Sequence, residues 1–138
     1  MAGGMSNQDE TRKGRLGYRN LEVWKISRAL AIDVTKMAAS GRWGRFRGLA
    51  DQMQRSAVSV PSNIAEGEER GSNRDALKFL HIAKGSLAEL RTQIDIAHAC
   101  EGLTLAEFED LDSRCHHATA LLSGTIRRRQ SYESGRGE

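Results

Sequence analysis

Four stretches of this chain place apolar residues at three- and four-residue steps, and each stretch is bounded by glycines or capping residues. The first runs through Val23, Ile26, Leu30, Val34 and Met37 and ends at Gly41 and Gly44. The second takes Phe46, Leu49, Met53, Ala57, Val60 and Ile64 and stops at Gly67, where a left-handed terminal residue is expected. The third, through Leu77, Leu80, Ala83, Leu87, Leu90, Ile94 and Ala97, is the cleanest, with Ser72 or Asn73 as its cap and Gly102 as its close. Leu105, Phe108, Leu111, Cys115, Ala118, Leu122 and Ile126 form the fourth, opened by a Thr104 and Glu107 capping box. Asn20 is the expected cap of the first. No alternating segment of useful length competes, so the chain reads as all-α. Short connections make sequential helices antiparallel neighbours in an up-down four-helix bundle.

At 138 residues there is material for one domain and not for two. The expected division is a disordered tail over residues 1–17, a bundle over 18–128 and a disordered basic and polar tail over 129–138. Mean hydropathy is −0.56, low for a buried chain but workable when long helices keep polar outer faces. No run approaches the 18 or so apolar residues of a membrane span, and the polar, glycine-bearing N-terminus lacks the apolar core of a signal peptide. These features suggest a cytoplasmic protein without membrane contact. Cys100 and Cys115 lack C-x-x-C spacing and are expected to be small buried hydrophobes in a reducing compartment.

The net charge of +3 conceals a strong segregation. Residues 12–55 carry eleven basic side chains against three acids, residues 66–112 five against eleven, and the segment from 113 onward five against two. Such a division suits a polyanion on one side, or head-to-tail self-association. Arginine outnumbers lysine sixteen to five, which favours bidentate phosphate contacts, although composition alone names no partner. The loop GRWGRFRG interleaves Trp43 and Phe46 with Arg42, Arg45 and Arg47, a texture in which bases stack and guanidinium groups hold phosphates. The competing reading has the two aromatics capping the bundle end. Arg127, Arg128 and Arg129 add a second basic run.

Catalysis finds no foothold: there is no Walker A loop, no G-x-S-x-G elbow, no G-x-G-x-x-G after a strand and no H-E-x-x-H. Asp112, Cys115 and His116 share one helical face, as do Asp95 and His98, but a bundle metal site needs carboxylates from the other helices, and the core stripes supply none. Neither cofactor nor metal is expected.

The second stretch holds the only proline, Pro61, inside its helical pattern, an arrangement that costs about 3 kcal/mol in a helix interior and suggests a kink. Beside it Gln52, Arg55, Ser59, Ser62 or Asn63, and Glu66 form a narrow ridge of largely small polar groups suited to close packing. Asn63 is placed to bond backbone freed by the proline, and Glu66 to pair with Arg70. The run QMQRSAVSVPSNIAEGEER, with Leu21-Glu-Val-Trp24 upstream and Phe79-Leu80, Ala83, Gly85-Ser86 and Glu89-Leu90 downstream, resembles the bacterial four-helix bundle family first noticed in intervening sequences of large-subunit ribosomal RNA genes. The resemblance covers roughly residues 18–98, and the fourth helix matches by pattern alone. It implies a ring-shaped, pentameric homo-oligomer whose subunit contact uses Gln52, Arg55, Ser59, Ser62, Asn63 and Glu66. Relatives include the accessory variability proteins of diversity-generating retroelements, so the resemblance further implies a non-enzymatic protein that binds RNA or DNA and partners a reverse transcriptase. The rival expectation is a self-assembling scaffold with no nucleic-acid partner.

Overall fold

The structure, a computed structural model, describes residues 17–136. A 3-10 turn at Gly17–Asn20 leads into α1 (Glu22–Ala39), and a second at Gly44–Phe46 leads into α2 (Arg47–Glu68), α3 (Asn73–Ala99) and α4 (Leu105–Arg136). Each helix packs against its sequence neighbours, α2 with α3 most extensively, and α1 closes the ring against α4; α1 and α3 stand diagonally across the core. The N-terminal tail expected over residues 1–17 lies, apart from Gly17, outside the described residues.

The stripes become one core. Leu30, Val34, Met53, Val60, Ile64, Leu80, Leu87, Leu90, Ile94, Leu111, Cys115 and Leu122 are fully enclosed. Full burial of each large aliphatic side chain contributes about 1.5–3 kcal/mol, enough collectively to outweigh a proline in the middle of α2. That helix runs unbroken through Pro61. Leu105 departs from its stripe and is 60% exposed, because the stripe reaches it only at the first turn of α4.

The helix ends refine the sequence reading. Leu21 rather than Asn20 stands at the cap of α1, with no side-chain bond. Gly41 takes a φ of +79° after α1, the left-handed position that glycine adopts without a Cβ penalty. Ser72 caps α3 by accepting from the Asp75 N–H at 3.1 Å. The capping box forms as expected: Thr104 Oγ1 accepts from the Glu107 N–H at 3.1 Å and Glu107 accepts from the Thr104 N–H at 2.9 Å.

Two glycines expected as terminators do different work. Gly67 lies inside α2, where a Cβ would stand 3.1 Å from the Ala76 carbonyl and 3.3 Å from Phe79 Cβ. It lets α3 approach. After α3 the left-handed residue is Glu101, at a φ of 64°, while the Gly102 N–H bonds the Ala97 carbonyl at 2.7 Å and that of Glu101 bonds His98 at 3.0 Å. This is a Schellman closure. Gly102 leaves room for Trp43, whose ring would lie 3.3 Å from an added Cβ.

The boundary expected at residue 128 is also displaced. α4 continues to Arg136 because Arg129 is anchored rather than free, donating to Glu68 at 2.7 Å and to Asn73 Oδ1 at 2.7 Å. Asn73 in turn donates to the Arg129 carbonyl at 2.8 Å.

Candidate nucleic-acid interface

Loop 40–46 sits at the end of the bundle that also carries the turn between α3 and α4. Trp43 is enclosed there, and its Nε1–H donates to the Gly102 carbonyl at 2.8 Å. Phe46 is half-buried against the core. Both aromatics close the bundle end, so Trp43 presents no open face on which a base could stack. Next to it Arg42 grips both carboxylate oxygens of Glu107 at 2.6 Å. These bonds from Arg42 do most to hold the Glu107 carboxyl down to about 2, aided by the Thr104 N–H. Arg42 is thereby a strut between the two loops. Arg45 and Arg47 remain exposed and make no ion pair among the described residues.

The second basic run lies at the opposite end. Glu107 and Arg129 are separated by twenty-two positions along α4, which at 1.5 Å per residue is about 33 Å. The six arginines singled out by sequence therefore form two groups that one short ligand could not bridge. Within the second group Arg129 is committed to Glu68 and Asn73, and Arg128 reaches Thr125 Oγ1 at 3.4 Å. Arg127 is exposed. Arg128 and Arg129 border a shallow cavity of about 370 Å³ with Leu21, Asn73 and Tyr132.

An aromatic and basic cluster escaped the sequence reading. Trp24 stacks edge-on with Tyr18 at 5.3 Å, and the Arg19 guanidinium lies 5.7 and 5.8 Å from the two ring centres; Arg28 stands 6.0 Å from Trp24. Its members come from the 3-10 turn and α1, and only folding of the turn onto the helix unites them.

The ridge beside Pro61 is used largely within the chain. Ser59 Oγ shares a 2.8 Å hydrogen bond with Ser86 Oγ of α3, so its close helix contact is internal. Asn63 donates to Ser59, at 2.8 Å to the carbonyl and 2.9 Å to Oγ. The carbonyl that Pro61 leaves without its i+4 donor is that of Ala57, so Asn63 bonds a different group from the one expected. Ser62 bonds its own helix through the Val58 carbonyl at 2.7 Å, and Glu66 pairs with Arg70. Gln52 and Arg55 are exposed.

No group of three or more His, Cys, Asp or Glu among the described residues could hold a metal ion. Asp112 instead pairs with Arg91 at 2.7 Å, which lowers its carboxyl, and burial pushes the Cys115 thiol up to about 12, an unreactive value. Cys100, expected to be buried like Cys115, is exposed instead, because it stands at the C-terminal cap of α3. His98 stacks on Phe108 at 4.6 Å. Among the described residues no helix is long and apolar enough to cross a membrane.

The model of the 23S rRNA-intervening sequence protein family matches residues 19–124. The chain belongs to that family. Among solved structures it is similar to a protein of unknown function from the S23 ribosomal protein family of Bacteroides thetaiotaomicron VPI-5482. That pair shares 21% identity at a TM-score of 0.69, over 75% of this chain and 97% of the other, a likeness of fold. No curated protein matches. Neither description names a reaction.

Proposed function

We propose that the protein is a non-enzymatic accessory factor that binds RNA or DNA and works as a homo-oligomer, in the manner of the proteins that partner a reverse transcriptase in diversity-generating retroelements. The observation that carries this reading is exposed arginine, without an ion pair among the described residues, at both ends of the bundle: Arg45 and Arg47 at one, Arg127 at the other with Arg128 beside it. Membership in a family described by ribosomal RNA agrees with it. Two basic ends about 33 Å apart suit an extended polyanion better than a small ligand. A cytoplasmic site of action accords with such a partner.

The competing reading, a self-assembling scaffold with no nucleic acid, draws on Arg42 and Arg129, two cations consumed by internal ion pairs. Salt titration separates the two. Each phosphate neutralised lowers the log of the binding constant by roughly 0.7 to 0.9 per decade of salt. The quadruple variant Arg45→Ala, Arg47→Ala, Arg127→Ala and Arg128→Ala should bind structured RNA more weakly and with a shallower slope, at an almost unchanged melting temperature. Arg129→Ala should instead lower the melting temperature, because it strands Glu68 and Asn73. If the wild-type chain retains no RNA or DNA at low ionic strength, the scaffold reading replaces this one.

A further inference from the structure

Beside the core-facing stripes of α1 and α2 run two more. On α2, Arg47, Asp51, Gln54, Val58 and Pro61 follow one another at four- and three-residue steps, and on α1 Trp24, Arg28, Ile32 and Thr35 do the same. Where the two helices meet, Arg28, Ile32, Thr35, Lys36, Val58 and Pro61 line an open, mainly apolar groove of about 370 Å³. Val58, 45% exposed, also belongs to the next hollow along α2, with Asp51, Gln54, Arg55 and Ser59. Asp51 and Gln54 are shared in turn with a third hollow, bordered by Trp43, Gly44 and Arg47. The three form one furrow from Pro61 to Arg47, fourteen positions of α2, which at 1.5 Å per residue is about 21 Å.

Four cations stand along this furrow, Arg28, Lys36, Arg47 and Arg55, all exposed and none in an ion pair among the described residues. Asp51 is the one acid that lines it. Beyond its Pro61 end, Arg28 lies 6.0 Å from the Trp24 ring, and Trp24 meets Tyr18 and Arg19 in the cluster at the start of α1. Leu21, between Tyr18 and Trp24 in sequence, borders the cavity that holds Arg128. A cationic path therefore joins the Arg45 and Arg47 end of the bundle to the Arg127 and Arg128 end across the α1–α2 face. This path absorbs the basic excess of residues 12–55, of which the bundle ends use only a part.

We propose that the furrow seats an unpaired polynucleotide strand, running along the α1–α2 face between the two basic ends. Such a seat rests on the nucleic-acid reading above and gives it a substrate class and a path. Charge selects a polyanion, and the surface between the charges selects a single strand. A duplex turns its base faces inward, whereas an unpaired strand presents them to apolar and aromatic side chains while cations hold its phosphates. Ile32, Val58 and Pro61 supply the apolar surface and Trp24 the aromatic one. Width agrees: neighbouring helix axes stand about 8–10 Å apart, less than even the roughly 12 Å major groove of a duplex. At about 3.4 Å per stacked nucleotide, the furrow has room for about six. Asp51 and Gln54 offer a carboxylate and an amide to base edges along the way.

A short oligouridine strand and an RNA duplex of the same length, titrated by fluorescence anisotropy, test the seat. Wild type should bind the strand at least about tenfold more tightly than the duplex. Arg28→Gln, Lys36→Gln and Arg55→Gln together should weaken strand binding at least about tenfold and lower its salt slope by about two, at roughly 0.7 for each phosphate released. Melting temperature and mass in sedimentation should not change. Val58→Glu should weaken strand binding through one exposed position, and Val58→Leu should not. Equal binding of strand and duplex by wild type, or wild-type strand affinity in the triple variant or in Val58→Glu, overturns the furrow and leaves the nucleic-acid reading on the two bundle ends. A triple variant whose mass falls gives the furrow to a second copy of the chain and overturns the seat as well. A wild-type chain that binds neither probe at low ionic strength overturns both.

Discussion

Glu107 carries three duties at once: it completes the cap of α4, pairs with Arg42, and so fastens the loop before α2 to the turn before α4. The first and largest cause of its lowered pKa is the Arg42 hydrogen bond. Its folded value, about 2, lies below the ordinary 4.5, so the pair stabilises the fold above that ordinary value and the contribution is lost as pH falls from there toward 2. Glu107→Gln should therefore cost about 1–2 kcal/mol near neutral pH, a figure already reduced for solvent screening, and should flatten the acid limb of a melting-temperature profile. An unchanged limb would mean that the pair is held too loosely to matter. Arg42, singled out by its neighbours as a phosphate ligand, is thus committed to stability.

At the scale of whole helices, two glycines with equal standing in the sequence separate sharply. Gly67 interrupts α2 where α3 presses to 3.1 Å of a prospective Cβ, whereas Gly85 sits mid-helix facing open space. Gly67→Ala should destabilise the chain by about 1–3 kcal/mol, since the obstructing atom is a backbone carbonyl that cannot rotate away. Gly85→Ala should stabilise the isolated subunit by about 0.5–1 kcal/mol. Chemical denaturation of the two variants checks both signs, and equal effects would refute the distinction. Pro61 teaches a related point. It is absorbed by a continuous helix whose buried face is large.

For the whole molecule, the separation of the two basic ends shapes what assembly adds. A single subunit offers a few exposed arginines at each end, and the proposed homo-oligomer would repeat them, so that a weak contact would become strong through effective concentration. RNA affinity per subunit should be at least about tenfold higher where the protein is assembled than where it is diluted to single subunits, at moderate salt. Equal affinity in a filter-binding titration would show that one subunit suffices.

The helical period by itself determined four amphipathic helices, their order and nearly all of the core, because burial follows local spacing wherever an apolar stripe is continuous. It likewise determined the Thr104 and Glu107 box, whose partners are three residues apart. Only tertiary structure decided which polar groups are spent inside the fold. Arg42 and Glu107 are 65 positions apart, and Arg129 and Glu68 are 61, so no local pattern could pair them. The same holds for Ser59 and Ser86, for Gly67 against Ala76, and for Trp24 beneath Arg19 and Arg28. A guanidinium, a hydroxyl or a missing Cβ looks the same in sequence whether it meets solvent, a partner or another helix, and chain reversal alone brings those neighbours together.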